Sequence, residues 1–255
     1  MTSAQPAPLP NQIALELVPN SFDGLLQESA LAKVYPQIQA INIPEMRSKE
    51  IKGHHAAEAL LKAGYNPIPH FRTIDRTYAQ LESLIAPLIP LGLQSVLLIS
   101  GDPINSPEFH ASDLTPLNAI PRLKQAFPGL RIYTGFDPYR QSFQSELEYC
   151  MRKLEAGSDG FYTQPFFSEF FLQVWLEQLQ HTEVWVGVSP VTTPSFKGYW
   201  EKTNHVPFPP DFDLSMEGNC QNERTLLQIA RQYAQKAYLM PITVSVEKYL
   251  PLLLG

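Results

Sequence analysis

Eight apolar runs of strand length alternate along this chain with eight segments of helical length, and this alternation restricts the possible folds most strongly. The predicted strands cover residues 13–18, 38–43, 67–71, 95–100, 131–136, 160–164, 183–189 and 237–241. The predicted helices cover residues 24–34, 48–63, 78–91, 116–126, 142–156, 168–180, 195–203 and 221–235. Most of these helical segments repeat apolar residues at intervals of three and four, as at Leu81, Leu84, Ile85 and Leu88.

Consecutive strand–helix units imply a parallel sheet, and closing eight of them into a barrel leaves no unpaired sheet edge. Gly64, Gly92 and Gly157 each follow a predicted helix, where a left-handed helix end favours glycine. The alternative is an open doubly wound sheet, but no G-x-G-x-x-G motif follows the first strand, so a Rossmann nucleotide site has no support. We therefore predict an α/β fold, a single-domain (β/α)8 TIM barrel over residues 11–255, after a flexible tail over residues 1–10.

Charge and hydropathy restrict where the chain acts and what it binds. The formal net charge is −6, so the basic surface that a nucleic-acid backbone requires is not expected. No run of 18 apolar residues is present, and residues 1–10 lack the basic and apolar regions of a signal peptide. We expect a cytoplasmic protein that binds neither nucleic acid nor membrane. Cys150 and Cys220 lie far apart in sequence, so a disulfide framework is not expected.

Polar residues gather at the C-terminal ends of the predicted strands, where barrel enzymes carry their active sites. They are Glu16, His70, Asp102, Asp137 and Gln164. Glu16 lies in an apolar run, where an ionised carboxylate is costly, so a raised pKa and a role in acid–base chemistry are indicated. Convergence of these groups from separate strands favours a shared site.

Each of these residues also has a purely structural explanation. Glu16 could form a salt bridge on an edge strand, and His70 could be a buried histidine bonded to a backbone carbonyl. Asp102 could cap a turn with Pro103, and Gln164 could be an ordinary amide at a strand end.

Other kinds of chemistry have less support in the sequence. The adjacent His54 and His55 cannot share one ligand position on a helix, and the cysteines lack C-x-x-C spacing, so no metal site is expected. No G-x-S-x-G elbow is present, and no lysine ends a predicted strand, as a Schiff-base aldolase or decarboxylase would require. Four phenylalanines could form a stacking platform, but their spacing is more typical of packing between barrel and helices. They are Phe166, Phe167, Phe170 and Phe171.

Short motifs follow one another in a fixed order along these strands and loops. They are Leu15-Glu16-Leu17-Val18-Pro19, Ile68-Pro69-His70-Phe71, Gly101-Asp102-Pro103, Ala111-Ser112-Asp113-Leu114, Arg152-Lys153-Leu154-Glu155-Ala156-Gly157, Thr163-Gln164-Pro165-Phe166-Phe167 and Gly187-Val188-Ser189-Pro190-Val191. In this order the chain resembles the methylenetetrahydrofolate reductase family of flavin-containing (β/α)8 barrels, from about residue 13 to near the C-terminus. The resemblance implies a folate substrate and a part in methionine biosynthesis. It also implies that hydride passes from NAD(P)H to FAD and then to 5,10-methylenetetrahydrofolate.

The resemblance further implies roles for individual residues. Glu16 matches the general acid that protonates folate N10, and Asp102 matches the carboxylate that stabilises the cationic iminium form of the folate beside the flavin. Gln164 and Tyr199 match substrate-binding positions. The remaining matches are to flavin-contacting positions: His70, Ala111, Ser112, Asp113, Glu146 and Lys153, with Asp102 again among them.

The chain departs from the family pattern at three places. Ser100 stands where the family usually has an arginine, and Asn42-Ile43-Pro44-Glu45 replaces a flavin-contacting segment. The region after Val244 lacks an arginine-bearing arm toward the folate tail. The alternative function is therefore that of a divergent paralogue, which binds folate or a protein partner without flavin-dependent reductase activity. A homo-oligomer or a partner subunit is compatible with either function.

Overall fold

Strands and helices alternate through the computed structural model, which describes residues 8–18, 20–46, 48–102 and 111–255. The strands are β1 Ile13–Glu16, β2 Ile38–Ile43, β3 Pro67–Arg72, β4 Ser95–Ile99, β5 Arg131–Phe136, β6 Gly160–Pro165, β7 Val184–Val188 and β8 Lys236–Leu239. The α-helices are α1 Phe22–Ala32, α2 Gly53–Lys62, α3 Tyr78–Ile85, α4 Pro116–Ala126, α5 Phe143–Glu155, α6 Glu169–Gln178, α7 Pro194–Thr203, α8 Met216–Gln232 and α9 Val246–Leu254. A 3₁₀ helix, Ala86–Leu91, continues α3.

The strands pair in chain order, and β8 pairs in parallel with β1 to close the sheet. At this seam Ile13 lies opposite Ala237, and Ala14 lies opposite Tyr238. The predicted single-domain (β/α)8 barrel is therefore confirmed. Because all the strands are parallel, their C-terminal ends meet at one mouth. In the part of the chain that the structure describes, no helix combines the length and the apolar character needed to cross a bilayer.

Aromatic side chains fill the interior of the barrel. Tyr162 and Trp185 are stacked with their ring centroids 5.1 Å apart, and Tyr238 meets Tyr162 edge to face at 5.0 Å. Tyr133 packs edge to face on Tyr162 at 5.2 Å. The interior is thus a packed core, as in other barrels of this type, and Tyr162 and Tyr238 also reach the mouth.

Glu183 ties together the opposite end of the barrel, just before β7. Its carboxylate accepts hydrogen bonds from Tyr133 and Trp185 at 2.6 and 2.9 Å, and it pairs with Arg131 and Lys236 at 2.8 Å each. Burial alone would raise the pKa of this carboxyl, but the bonds from Lys236, Tyr133 and Arg131 outweigh burial and lower the pKa to about 2. This end of the barrel therefore has a structural role.

Several predicted boundaries differ from the observed ones for local reasons. The predicted helix over 78–91 ends in a 3₁₀ segment, because Pro87 and Pro90 lack the N–H that α-helical bonding needs. Helix α8 begins five residues earlier than predicted, where the Ser215 side chain accepts a hydrogen bond from the Gly218 N–H. Helix α2 begins at Gly53 rather than at residue 48, and α9 was not predicted.

Two further expectations from the sequence concern the four phenylalanines and the N-terminal tail. Phe166 and Phe167 are buried as expected of core residues, whereas Phe170 is 75% exposed, which corrects its assignment to the core. The helix exposes this one ring because it faces away from the sheet.

Residues 1–7 of the predicted tail lie outside the described residues. Its last part is packed: Pro10 is buried, and the Leu9 carbonyl accepts a hydrogen bond from Arg231.

The Tyr162 hydroxyl is buried and has no hydrogen-bond partner among the described residues. A buried hydroxyl without a partner is destabilising, and phenylalanine would keep the ring packing. We expect Tyr162→Phe to raise the free energy of unfolding by about 1 kcal/mol in chemical denaturation. A loss of stability in this variant would contradict the expectation.

Glu223 on α8 is a second buried carboxyl, and it accepts a 2.6 Å hydrogen bond from the Tyr249 hydroxyl of α9. Burial raises its pKa to about 8, and the bond from Tyr249 only partly opposes this. Because the folded-state pKa lies above the unfolded one, the protonated carboxyl adds stability that is complete below pH 4.5 and is lost as the pH rises through about 8.

The free energy of unfolding of the wild type should fall between pH 5 and pH 9. In Glu223→Gln this fall should be smaller, by on the order of a few kcal/mol. Chemical denaturation of both proteins at several pH values checks this. An unchanged pH dependence in the variant would show that Glu223 does not contribute to it.

Candidate functional site

A cavity of about 390 Å³ opens at the mouth where the C-terminal ends of the strands converge. Five polar residues singled out from the sequence line it: Glu16, His70, Asp102, Asp137 and Gln164. They come from β1, β3 and β6 and from the segments that follow β4 and β5. The structure thus brings together side chains that are up to 148 residues apart in sequence. Leu97, Ile99 and Met240, from the barrel interior, add apolar surface.

Glu16 is the last residue of β1, and it is half-buried at the cavity wall. Leu15 and Leu17 on either side of it are buried in the core between the barrel and the helices. One carboxyl oxygen, Oε2, accepts a hydrogen bond from the Tyr238 hydroxyl. Burial raises the pKa of Glu16 to about 7, against the opposing effect of that hydrogen bond. A carboxyl with such a pKa holds a proton in a large fraction of molecules at neutral pH and can donate it.

His70 lies two strands away from Glu16, and Asn42 of β2 lies between them. The Nε2 atom of His70 is 3.3 Å from the amide nitrogen of Asn42. Burial lowers the pKa of His70 to about 3, so the imidazole is neutral at physiological pH. His70 therefore places no positive charge beside Glu16.

Asp102 is exposed at the rim of the cavity, after the turn that ends β4. Gly101 in this turn has φ of 82°, and a Cβ atom there would lie 2.7 Å from Nε of Arg72, so only glycine fits. Arg72 donates a 3.2 Å hydrogen bond to the Asp102 carbonyl and so holds the turn. Residues 103–110, including Pro103 of the Gly-Asp-Pro motif, lie outside the described residues.

Two cations line the wall opposite Glu16. Lys153 reaches the cavity from α5, and its Nζ donates a 2.7 Å hydrogen bond to the Gly135 carbonyl. Burial lowers the pKa of Lys153 to about 8. Arg140 pairs at 2.8 Å with the fully buried Glu146, which also accepts a bond from Gln141. No lysine was predicted at a strand end, and Lys153 instead extends to the cavity from helix α5.

The segments that depart from the family pattern leave the cavity open. Pro44 and Ser100 both line it, and neither side chain is large. The Glu45 carboxylate turns toward Arg76, with which it forms an ion pair, and toward the N–H of Arg72. Among the described residues, the Glu45 carboxylate is therefore not directed into this part of the mouth.

Five predicted site residues lie outside the cavity lining. Tyr199 is 51% exposed on α7, and its ring stacks on Phe196 with centroids 6.1 Å apart. Ala111 and Asp113 are exposed in the segment before α4, and the N–H of Ser112 donates to the Ile74 carbonyl at 2.6 Å. Glu146 lies behind the wall rather than in it, and it reaches the cavity only through Arg140.

The cavity-lining Arg140 and Tyr238, and the buried Asn42 beside His70, were not named as candidate site residues from the sequence. A polar Asn42 in the otherwise apolar end of β2 was an available signal. Tyr238 carried no such signal, because an aromatic residue in a strand normally indicates a core position. In the described ranges of the chain, no group of three or more His, Cys, Asp or Glu side chains is arranged to hold a metal ion.

Comparison with known proteins gives one family match and a set of structural neighbours. The family model described as methylenetetrahydrofolate reductase matches residues 45–237. Oxaloacetate acetylhydrolase in complex with oxalate has a similar structure, with a TM-score of 0.60 and 11% identity over 94% of this chain and 78% of the other. So does 2,3-dimethylmalate lyase, with a TM-score of 0.59 and 10% identity over 91% and 75%. At these identities the structural neighbours indicate the fold alone. Curated protein sequences give no significant match.

Proposed function

This chain belongs to the methylenetetrahydrofolate reductase family, and from this premise we propose that it reduces 5,10-methylenetetrahydrofolate to 5-methyltetrahydrofolate with FAD and NAD(P)H. The observation that carries the proposal is the position of Glu16. Its carboxyl lies in the cavity at the barrel mouth, and burial raises its pKa to about 7. Opening the five-membered ring of the substrate requires a proton at the folate nitrogen, and Glu16 is suited to supply it.

The residues at the mouth fit a flavin in their chemistry. When bound, FAD would accept hydride from NAD(P)H and pass it on to the substrate. Lys153 and Arg140 offer positive charge to the phosphates and hydrogen bonds to the ribityl chain. The apolar surface of Leu97, Ile99 and Met240 suits a flat apolar ring. Buried Glu146, behind the wall, holds the Arg140 guanidinium through a 2.8 Å ion pair.

Asp102 and Gln164 complete the substrate side of the proposed site. Asp102 is exposed at the rim and supplies a negative charge, which favours a folate that becomes cationic when its ring opens. The Gln164 amide at the end of β6 offers both a donor and an acceptor to the edge of a pterin ring. Neutral His70 adds no positive charge that would oppose such a cation.

A second candidate is a paralogue that binds folate, or a protein partner, without a flavin. Ser100 favours it, because a serine supplies no positive charge where the family usually has an arginine. The two candidates differ in FAD affinity. Titration of the purified protein with FAD, followed by flavin fluorescence, separates them.

Product formation is the direct test of the reductase. The protein is incubated anaerobically with FAD, 5,10-methylenetetrahydrofolate and either NADH or NADPH, and the folates are separated by chromatography. We expect 5-methyltetrahydrofolate with at least one of the two reductants, and none when the reductant is omitted. Folate binding without any product, under conditions where FAD is bound, would overturn the proposed reaction.

A further inference from the structure

We propose that Tyr238 is a positioning residue for Glu16, which fixes one oxygen of the carboxyl so that the carboxyl faces the substrate in a single orientation. The inference rests on the proposed function, in which Glu16 donates a proton. The Tyr238 hydroxyl donates a hydrogen bond to Glu16 Oε2, and both residues line the cavity. Among the described residues, this is the hydrogen bond that the Glu16 carboxyl makes.

The surrounding packing makes Tyr238 a rigid donor. Tyr238 is only 3% exposed, and its ring packs edge to face on Tyr162 with centroids 5.0 Å apart. The backbone of β8 is held against β1, with Tyr238 opposite Ala14. The hydroxyl therefore cannot leave Glu16 without disturbing the barrel interior, and it orients the carboxyl in advance of binding.

Asn42 and His70 are polar neighbours of this pair. Asn42 lies opposite Glu16 on the adjacent strand β2, and its amide nitrogen lies 3.3 Å from Nε2 of His70. His70 is neutral, so Glu16 is the member of this group that gains and loses charge near neutral pH. The charged groups facing these side chains across the cavity are Asp102, Asp137, Arg140 and Lys153.

The hydrogen bond has a predictable effect on the titration of Glu16. A hydroxyl that donates to a carboxylate stabilises the ionised form, so it lowers the pKa that burial raises. Without the hydroxyl the pKa rises further. A proton donor acts in its protonated form, and its activity falls as the pH rises through its pKa. In a variant without the hydroxyl this fall must move to higher pH.

Tyr238→Phe tests the proposal, with Tyr162→Phe as the matched control. Both variants remove one hydroxyl from adjacent rings of the barrel interior, but the Tyr162 hydroxyl has no partner among the described residues. Two quantities are measured against pH. One is the rate at which pre-reduced enzyme converts 5,10-methylenetetrahydrofolate. The other is the titration of the Glu16 carboxyl, followed by carbon-13 NMR and assigned with Glu16→Gln.

For Tyr238→Phe we expect the plateau rate to fall about tenfold and both midpoints to rise by about one pH unit. Tyr162→Phe should keep the wild-type midpoints. Wild-type midpoints in Tyr238→Phe would overturn the proposal. If the wild type forms no product but the NMR midpoint still moves, the reductase proposal fails and the contact of Tyr238 with Glu16 stands.

A second variant covers the case in which Tyr238→Phe does not fold. Tyr238→3-fluorotyrosine keeps the ring and makes the hydroxyl a stronger donor. The NMR midpoint of Glu16 should then move to lower pH, in the direction opposite to that of Tyr238→Phe. An unchanged midpoint would contradict the proposal.

Discussion

Glu16→Gln is expected to slow the reduction of 5,10-methylenetetrahydrofolate by about 10²- to 10⁴-fold, while flavin reduction by NAD(P)H stays close to the wild-type rate. Glutamine keeps the size of the side chain and its contact with Tyr238 but has no acidic proton to donate. The two half-reactions are separated by stopped-flow absorbance, first with NAD(P)H and oxidised enzyme and then with methylene-folate and reduced enzyme.

Glu223→Gln is the matched control for this variant. Glu223 is also a buried carboxyl with a raised pKa and a tyrosine hydroxyl as partner, but it lies on α8, outside the cavity lining. It should keep both half-reactions at wild-type rates. Equal folate turnover in Glu16→Gln and wild type would exclude Glu16 as the proton donor.

Asp102→Asn is expected to slow the folate half-reaction by about 10²-fold, because it removes a fixed negative charge from the place where the substrate becomes cationic. Asparagine has nearly the same shape, and the backbone contact of Arg72 with the Asp102 carbonyl is retained. The measurement is the rate at which methylene-folate reoxidises the reduced enzyme.

Asp211→Asn serves as a control for the loss of one surface carboxylate. Asp211 is exposed in the segment after α7 and does not line the cavity. It should leave both half-reactions unchanged. If Asp102→Asn behaved in the same way, the charge at the rim would have no part in the chemistry.

The sequence predicted the barrel well because its strands are short and apolar. β2 and β5 have the predicted bounds, since apolar residues recur in both and Pro or Gly lies close to each end. Helix ends were harder, because they depend on individual caps and on proline. The Ser215 cap extends α8, and Pro87 and Pro90 convert the end of the predicted third helix to 3₁₀.

The site was predicted where strand ends carry polar residues, and missed where a side chain arrives from elsewhere. Glu16, His70, Asp102 and Gln164 could be grouped because the ends of parallel strands share one mouth. Tyr238 could not, because its contact with Glu16 spans the closing seam between β8 and β1, 222 residues apart in sequence. The sequence alone does not reveal that this aromatic core residue directs its hydroxyl to a carboxyl. The entry of Lys153 from α5 also depends on helix packing.

Anaerobic visible spectroscopy of the wild-type protein with FAD tests the central claim most directly. We predict that the absorption bands of oxidised flavin appear on the protein, bleach on addition of NADH or NADPH, and return on addition of 5,10-methylenetetrahydrofolate. A protein that stays colourless with FAD, or whose reduced flavin is not reoxidised by methylene-folate, would contradict the account.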